Sequence, residues 1–156
     1  MKSLLLILLL SLPGLVKGQH KGYKKPQKVT LLRIDVFAYL GTEQHYTITA
    51  DSLVVKDLSM GATDTLYTRR LTPTERNWLL APFDQIYLSS IRDKYEPARI
   101  SNLHDISYRV VLYKGEFMRV TDIYKKKVRF FDTFVQRFNR LVPTPYQMYY
   151  TAEYFK

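Results

Sequence analysis

The sequence predicts an α+β fold: an antiparallel sheet of about five to six strands with two helices packed on one face, following a cleaved signal peptide. Three observations carry this. Short runs with two-residue alternation of apolar and polar side chains recur between residues 29 and 123, bounded by turn-forming residues. Two segments, opening near Thr72 and Val128, switch to helical spacing. The order strand–strand–helix then occurs twice, at about 45–87 and 106–142, without any residue-level match between the two halves.

Met1-Lys2-Ser3 is a short positive start, Leu4 to Leu12 is an almost pure Leu/Ile run, and Pro13-Gly14 is followed by Leu15-Val16-Lys17-Gly18. This is the three-part plan of a secretory signal peptide over 1–18, with Val16 and Gly18 as the small residues before cleavage at Gln19. A bilayer span needs roughly 20 apolar residues, so the run predicts export without a lasting membrane anchor. Residues 19–28, QHKGYKKPQK, read as a flexible basic arm.

A single α+β domain is expected over 29–143. Val29 to Tyr39 alternates as a strand, with Leu32, Ile34, Val36 and Ala38 on one face and Leu31, Arg33, Asp35, Phe37 and Tyr39 on a mixed, half-exposed face. Gly41 to Gln44 form a turn. His45 to Thr49 and Leu53 to Leu58 are either a tight hairpin or one bulged strand. Ser59 to Asp64 form a loop and Thr65 to Leu71 the next strand. Thr72-Pro73-Thr74-Glu75 is a helix start: a hydroxyl to cap a free N–H, a proline at the first helical position, and a carboxylate to bond back. Trp78, Leu79, Phe83 and Ile86 continue it as an apolar stripe, and Pro82 predicts a kink or a tightened last turn.

Tyr87 to Asp105 reads as irregular. Ile106 to Tyr113 and Phe117 to Ile123 form a hairpin around a Lys114-Gly115 turn. Val128, Phe131, Val135, Phe138 and Val142 then mark one face of a second helix, ended by Pro143 and Pro145. Tyr124 extends that stripe backwards, which leaves a start at Thr121-Asp122 open. The tail, 144–156, is rich in Tyr and is either free or an added edge strand.

Certain segments carry a resemblance. They are Tyr46-Thr47-Ile48-Thr49-Ala50-Asp51-Ser52-Leu53, Leu71-Thr72-Pro73-Thr74-Glu75, Arg119-Val120-Thr121-Asp122-Ile123-Tyr124 and Phe138-Asn139-Arg140-Leu141-Val142-Pro143, behind a leader ending before Gln19. In layout the chain resembles small exported domains of unknown function from Gram-negative bacteria, over most of residues 29–143. The resemblance implies an exported α+β domain.

Composition excludes several chemistries. The 156 residues hold no Cys, which removes disulfides, thiolate metal sites and cysteine nucleophiles. His20, His45 and His104 lie far apart without ligand spacing, so no metal and no cofactor is expected. Carboxylates are scattered singly and no Gly-rich phosphate loop occurs. Ser101, His104 and Asp105 lie close in one loop, and a small hydrolase built on them is one alternative.

Basic and aromatic residues remain. Lys plus Arg number 24 against 14 Asp plus Glu, a formal charge of +10. Removing the leader takes away Lys2 and Lys17 only. The densest cluster is Tyr124, Lys125, Lys126 and Lys127, with Arg129 following. At the start of a helix the dipole disfavours cations, so helix stability does not explain it. Solvation of a hairpin end or protection of an edge strand would explain it, and so would an anionic partner. Arg69-Arg70 either joins this patch or points to both faces of a strand. The 13 Tyr suit contact surfaces, with Tyr146, Tyr149, Tyr150 and Tyr154 in the tail, or half-buried sheet positions. The expectation is an exported, non-enzymatic binding domain, periplasmic or extracellular. It would engage a protein or anionic envelope component through Tyr124, Lys125, Lys126, Lys127 and Arg129. Nucleic acid is disfavoured as a partner, and a periplasmic inhibitor or immunity-type protein is the second alternative.

Overall fold

The computed structural model describes residues 26–38, 43–58, 64–97 and 106–149. The leader, most of the basic arm, the Ser101, His104 and Asp105 loop, and Tyr150 and Tyr154 lie outside them.

Seven strands and two helices follow one another as β1 (Leu31–Phe37), β2 (Glu43–Ile48), β3 (Ser52–Asp57), β4 (Asp64–Arg70), α1 (Pro73–Asp84), β5 (Lys94–Tyr95), β6 (Ser107–Lys114), β7 (Phe117–Tyr124) and α2 (Arg129–Leu141). They form one sheet in the order β4-β3-β2-β1-β6-β7-β5. Every pairing is antiparallel except the short β5–β7 pair. The hairpin alternative holds for 45–58: β2 and β3 pair from Ile48↔Leu53 onward, and Thr49 closes the turn through Ser52.

The register places Leu32, Ile34, Tyr46, Ile48, Leu53, Val55, Val110, Leu112 and Ile123 on one face, all at most 1% exposed. Both helices cover that face. Phe131, Phe134, Val135 and Phe138 of α2 are buried against it, with Phe138 edge-on to Tyr46 at 5.2 Å and Phe131 on Tyr108 at 5.1 Å. Phe83 of α1 packs on Phe134 at 5.3 Å. Burying a large apolar side chain contributes about 1.5–3 kcal/mol, so this layer of aliphatic and aromatic side chains holds the fold in a chain without disulfides.

The helix start at Thr72 is a full capping box: the hydroxyl accepts from Glu75 N–H, and the Glu75 carboxylate accepts from Thr72 N–H at 2.9 Å. The Thr72 hydrogen bonds hold the Glu75 carboxyl below its ordinary value. Pro82 sits inside α1 near its end, where the turn tightens as Ile86 N–H donates to the Phe83 carbonyl. Helix α2 begins at Arg129 after Val128, not at Thr121-Asp122, because those two residues are paired into β7.

Several expectations are corrected. The sheet has seven strands, not five or six; β5 is two residues long and leaves no alternation to read. Glu43 and Gln44 belong to β2 and not to a turn, because they pair with Phe37 and Val36. Trp78 is 37% exposed, and Leu80 takes its place beside Leu79 and Phe83 in the core. Lys114 is not a turn residue but the buried end of β6, with the turn at Gly115-Glu116. Gly115 has φ +60, a left-handed conformation that suits glycine. Asp35, expected half-exposed, is 4% exposed. In the tail, Thr144–Tyr146 form a single 3-10 turn and Tyr146 stacks on Tyr67, so no edge strand forms among the described tail residues.

Candidate functional site

The helices run antiparallel. Arg137 of α2 donates to the Trp78 carbonyl of α1, and Arg69 reaches both the start of α1 (Glu75) and the end of α2 (Leu141 carbonyl). The carbonyl end of α1 therefore lies beside the amide end of α2. The β7–α2 connection, with the predicted basic cluster, enters there.

The cluster is contiguous in sequence but fans out in space. The Lys125 ammonium sits 5.8 Å above the Tyr124 ring, and its backbone is left-handed at φ 45. Lys126 Nζ lies 3.5 Å from the Glu96 carbonyl, toward β5. Lys127 Nζ lies 3.5 Å from Asp132 in the first turn of α2. A left-handed non-glycine residue costs about 1–2 kcal/mol, so the path through Lys125 is imposed by its surroundings. Val128 offers no side-chain cap to α2.

Arg129 turns elsewhere. With Thr133 and Arg137 it forms one stripe along α2, spaced four residues apart. This stripe borders a groove of about 560 Å³ whose other wall is the end of α1, with Pro82, Ile86 and Phe130 as apolar lining. The Arg137 guanidinium lies 5.4 Å over the Trp78 ring, held by this contact and by the Trp78 carbonyl. No carboxylate lines the groove. The sequence spacing places Trp78 on the apolar stripe of the first helix and gives no sign of the Arg137–Trp78 pair. The Arg129–Thr133–Arg137 spacing was the available signal.

The sheet face away from the helices carries a second polar arrangement. The register lines up Lys56, His45, Asp35, Arg109, Asp122 and Lys94 in one row across six strands. His45 is held between two carboxylates, Nδ1 at 2.8 Å from Asp35 Oδ1 and Nε2 at 3.1 Å from Glu43 Oε1. Asp35 Oδ1 meets His45 and Arg33 as charge contacts and has no aligned hydrogen bond among the described residues. The Arg109 guanidinium is bonded to Asp122 at 2.9 and 3.3 Å, which raises its pKa further. A cavity of about 300 Å³ lies beside this row, bordered by Phe37, Glu96 and Tyr124. Within the row the side-chain contacts are His45–Asp35 and Arg109–Asp122, and no cluster of His, Asp and Glu among the described residues could hold a metal ion.

Arg69 and Arg70 point to opposite faces, Arg69 toward the helices and Arg70 outward beside Ser52. Most described tyrosines pack on the sheet: Tyr46 and Tyr108 are buried, and burial pushes the Tyr46 hydroxyl pKa upward. Tyr149 is 51% exposed. Among the described residues no helix is long and apolar enough to cross a membrane. No protein-family model matches the chain, and no curated protein sequence matches it.

Proposed function

We propose that the chain is an exported, non-enzymatic binding domain that engages an acidic partner, a protein or an anionic envelope component. Its contact surface is the basic connection formed by Tyr124, Lys125, Lys126, Lys127 and Arg129. The observation that carries this reading is the placement of three successive lysines, the first on a left-handed backbone step, before the amide end of a helix without a side-chain cap. The dipole disfavours cations there, and the Lys127–Asp132 pair offsets it in part. Folding is served poorly by such a loop, whereas electrostatic steering of an anionic partner is served well.

The test is retention of the purified chain on an anionic matrix across a salt gradient. Retention should fall with salt and drop sharply in the Lys125→Glu/Lys127→Glu double variant, with an unchanged melting temperature. Equal retention of parent and variant would refute the basic connection as the contact. A stoichiometric partner captured from the envelope of the source cell by the parent, and not by the variant, would identify the protein form of the ligand.

A further inference from the structure

The groove between α1 and α2 is chemically specific. Two guanidiniums stand at its two ends on one helix stripe, an aliphatic and aromatic lining lies between them, and no acid neutralises them. Arg137 is held in place by the Trp78 ring and carbonyl, so little side-chain freedom is lost when a ligand pairs with its remaining donors. Arg129 makes no ion pair and no side-chain hydrogen bond among the described residues, and it is exposed. Such an arrangement costs like-charge repulsion in the free protein and gains from an anion at each end.

The spacing sets the ligand. Eight residues of helix separate the two arginines by about 12 Å at roughly 1.5 Å per residue. In an extended chain, at roughly 3.3 Å per residue, two side chains four positions apart lie about 13 Å apart and point to the same side. The residue midway between them points the same way, toward Pro82, Ile86 and Phe130. We infer that this groove is a docking site for an extended acidic segment of a partner protein, with the pattern acid–x–apolar–x–acid. The carboxylates pair with Arg129 and Arg137, the Thr133 hydroxyl lies between them, and the apolar residue covers the lining.

The inference rests on reading the chain as a binder of acidic partners, and it names the partner class. The experiment titrates a peptide with the core Asp-Ser-Leu-Ser-Asp into the purified full chain and follows the emission of Trp78, the sole tryptophan. A peptide of the same composition with adjacent acids, Asp-Asp-Leu-Ser-Ser, is the control. The spaced peptide should change the Trp78 emission and bind at least tenfold more tightly than the control. Arg129→Glu should weaken it at least tenfold without shifting the melting temperature.

Equal binding of both peptides, no binding of either, or an Arg129→Glu variant that binds like the parent would each overturn the proposal. So would vesicles of anionic lipid that displace the peptide at lower concentration than the partner-like sequence does, or self-association through this groove that excludes it. The Lys125→Glu/Lys127→Glu variant separates the two readings. Peptide binding kept in that variant but lost in Arg129→Glu supports the groove even where the basic connection fails. Matrix retention lost in the lysine variant, with peptide binding indifferent to Arg129, overturns the groove alone.

Discussion

Lys114→Met is the most informative perturbation of the scaffold that shapes this groove. Lys114 is 1% exposed, and its ammonium donates to the carbonyls of Ile86 at 2.6 Å, Phe83 at 2.8 Å and Asp84 at 3.4 Å. These carbonyls lie at and just past the end of α1, a helix with no basic residue in its own last turn, and the Phe83 carbonyl also accepts from Ile86 N–H. The cation therefore arrives from β6. A methionine fills similar volume but takes the ammonium donor away from all three carbonyls, of which Phe83 alone keeps the Ile86 N–H. A hydrogen bond to a charged group contributes about 1.5–3 kcal/mol, and a buried orphan acceptor costs about 1–3 kcal/mol. Removing a buried ammonium returns part of this as relieved desolvation. The expected loss is about 3 kcal/mol by chemical denaturation at neutral pH. For a domain of this size that corresponds to a melting temperature lowered by roughly 10 °C.

The pH dependence has a definite sign. Burial pushes the Lys114 pKa below the ordinary lysine value, against a smaller opposing pull from Asp84. Between the folded value and the ordinary 10.5, the unfolded chain binds more protons at this site than the folded one. Stability of the parent from this group therefore rises with pH across that window, and the methionine variant lacks the rise. The gap between them should widen as pH climbs toward 10.5. A variant within about 1 kcal/mol of the parent at neutral pH would refute the role assigned to the ammonium, and a gap that narrows with rising pH would refute the downward push of burial on its pKa.

Two further perturbations test the helix ends. Thr72→Ala removes the capping hydroxyl and should cost about 1 kcal/mol in urea unfolding. Because the Thr72 bonds depress the Glu75 carboxyl, the stabilisation is present above the ordinary carboxylate value and lost as pH falls through the folded one; the variant should show a shallower acid loss. Arg69→Met removes the guanidinium that donates to the Leu141 carbonyl at 2.6 Å and pairs with Glu75, tying the start of α1 to the end of α2. It should cost about 2 kcal/mol, with amide exchange accelerating first in the last turn of α2.

The parts of the fold legible in the sequence are those with a local cause. The Thr72–Glu75 box, the β6–β7 hairpin and the Val128–Phe131–Val135–Phe138–Val142 stripe are each set by residues within one element. What escaped depends on distant partners. β5 exists because Lys94 and Tyr95 meet Asp122 and Ile123, with Asp93 carbonyl accepting from Asp122 N–H. Trp78 fits an apolar stripe by spacing, yet Arg137 from the other helix lies over it at the surface. Lys114 beside Gly115 has the look of a solvated turn, and only the position of the α1 carbonyls explains its burial.

The same distinction sorts the positive charge. Among the described residues, Arg69, Arg76, Lys114 and Arg119 each donate to backbone carbonyls of another segment: Leu141, Val29, the end of α1, and Ile91 respectively. Arg109 is committed to Asp122 across the open face. These cations are consumed by the fold, and no count of lysines and arginines could separate them from surface charge. Arg129 is left with no such duty, at the mouth of a groove that presents a second arginine and no acid. Structural roles account for a cation that ends in a carbonyl or a carboxylate, as Arg137 does on the Trp78 carbonyl, whereas Arg129 ends in neither among the described residues. Arg137 is held by the Trp78 ring and carbonyl, but the Arg129 charge beside the same apolar lining lowers the free energy of the protein only when an anion arrives. That asymmetry makes Arg129, more than the lysines that precede it, the residue whose charge reversal should separate a binding surface from a merely basic one.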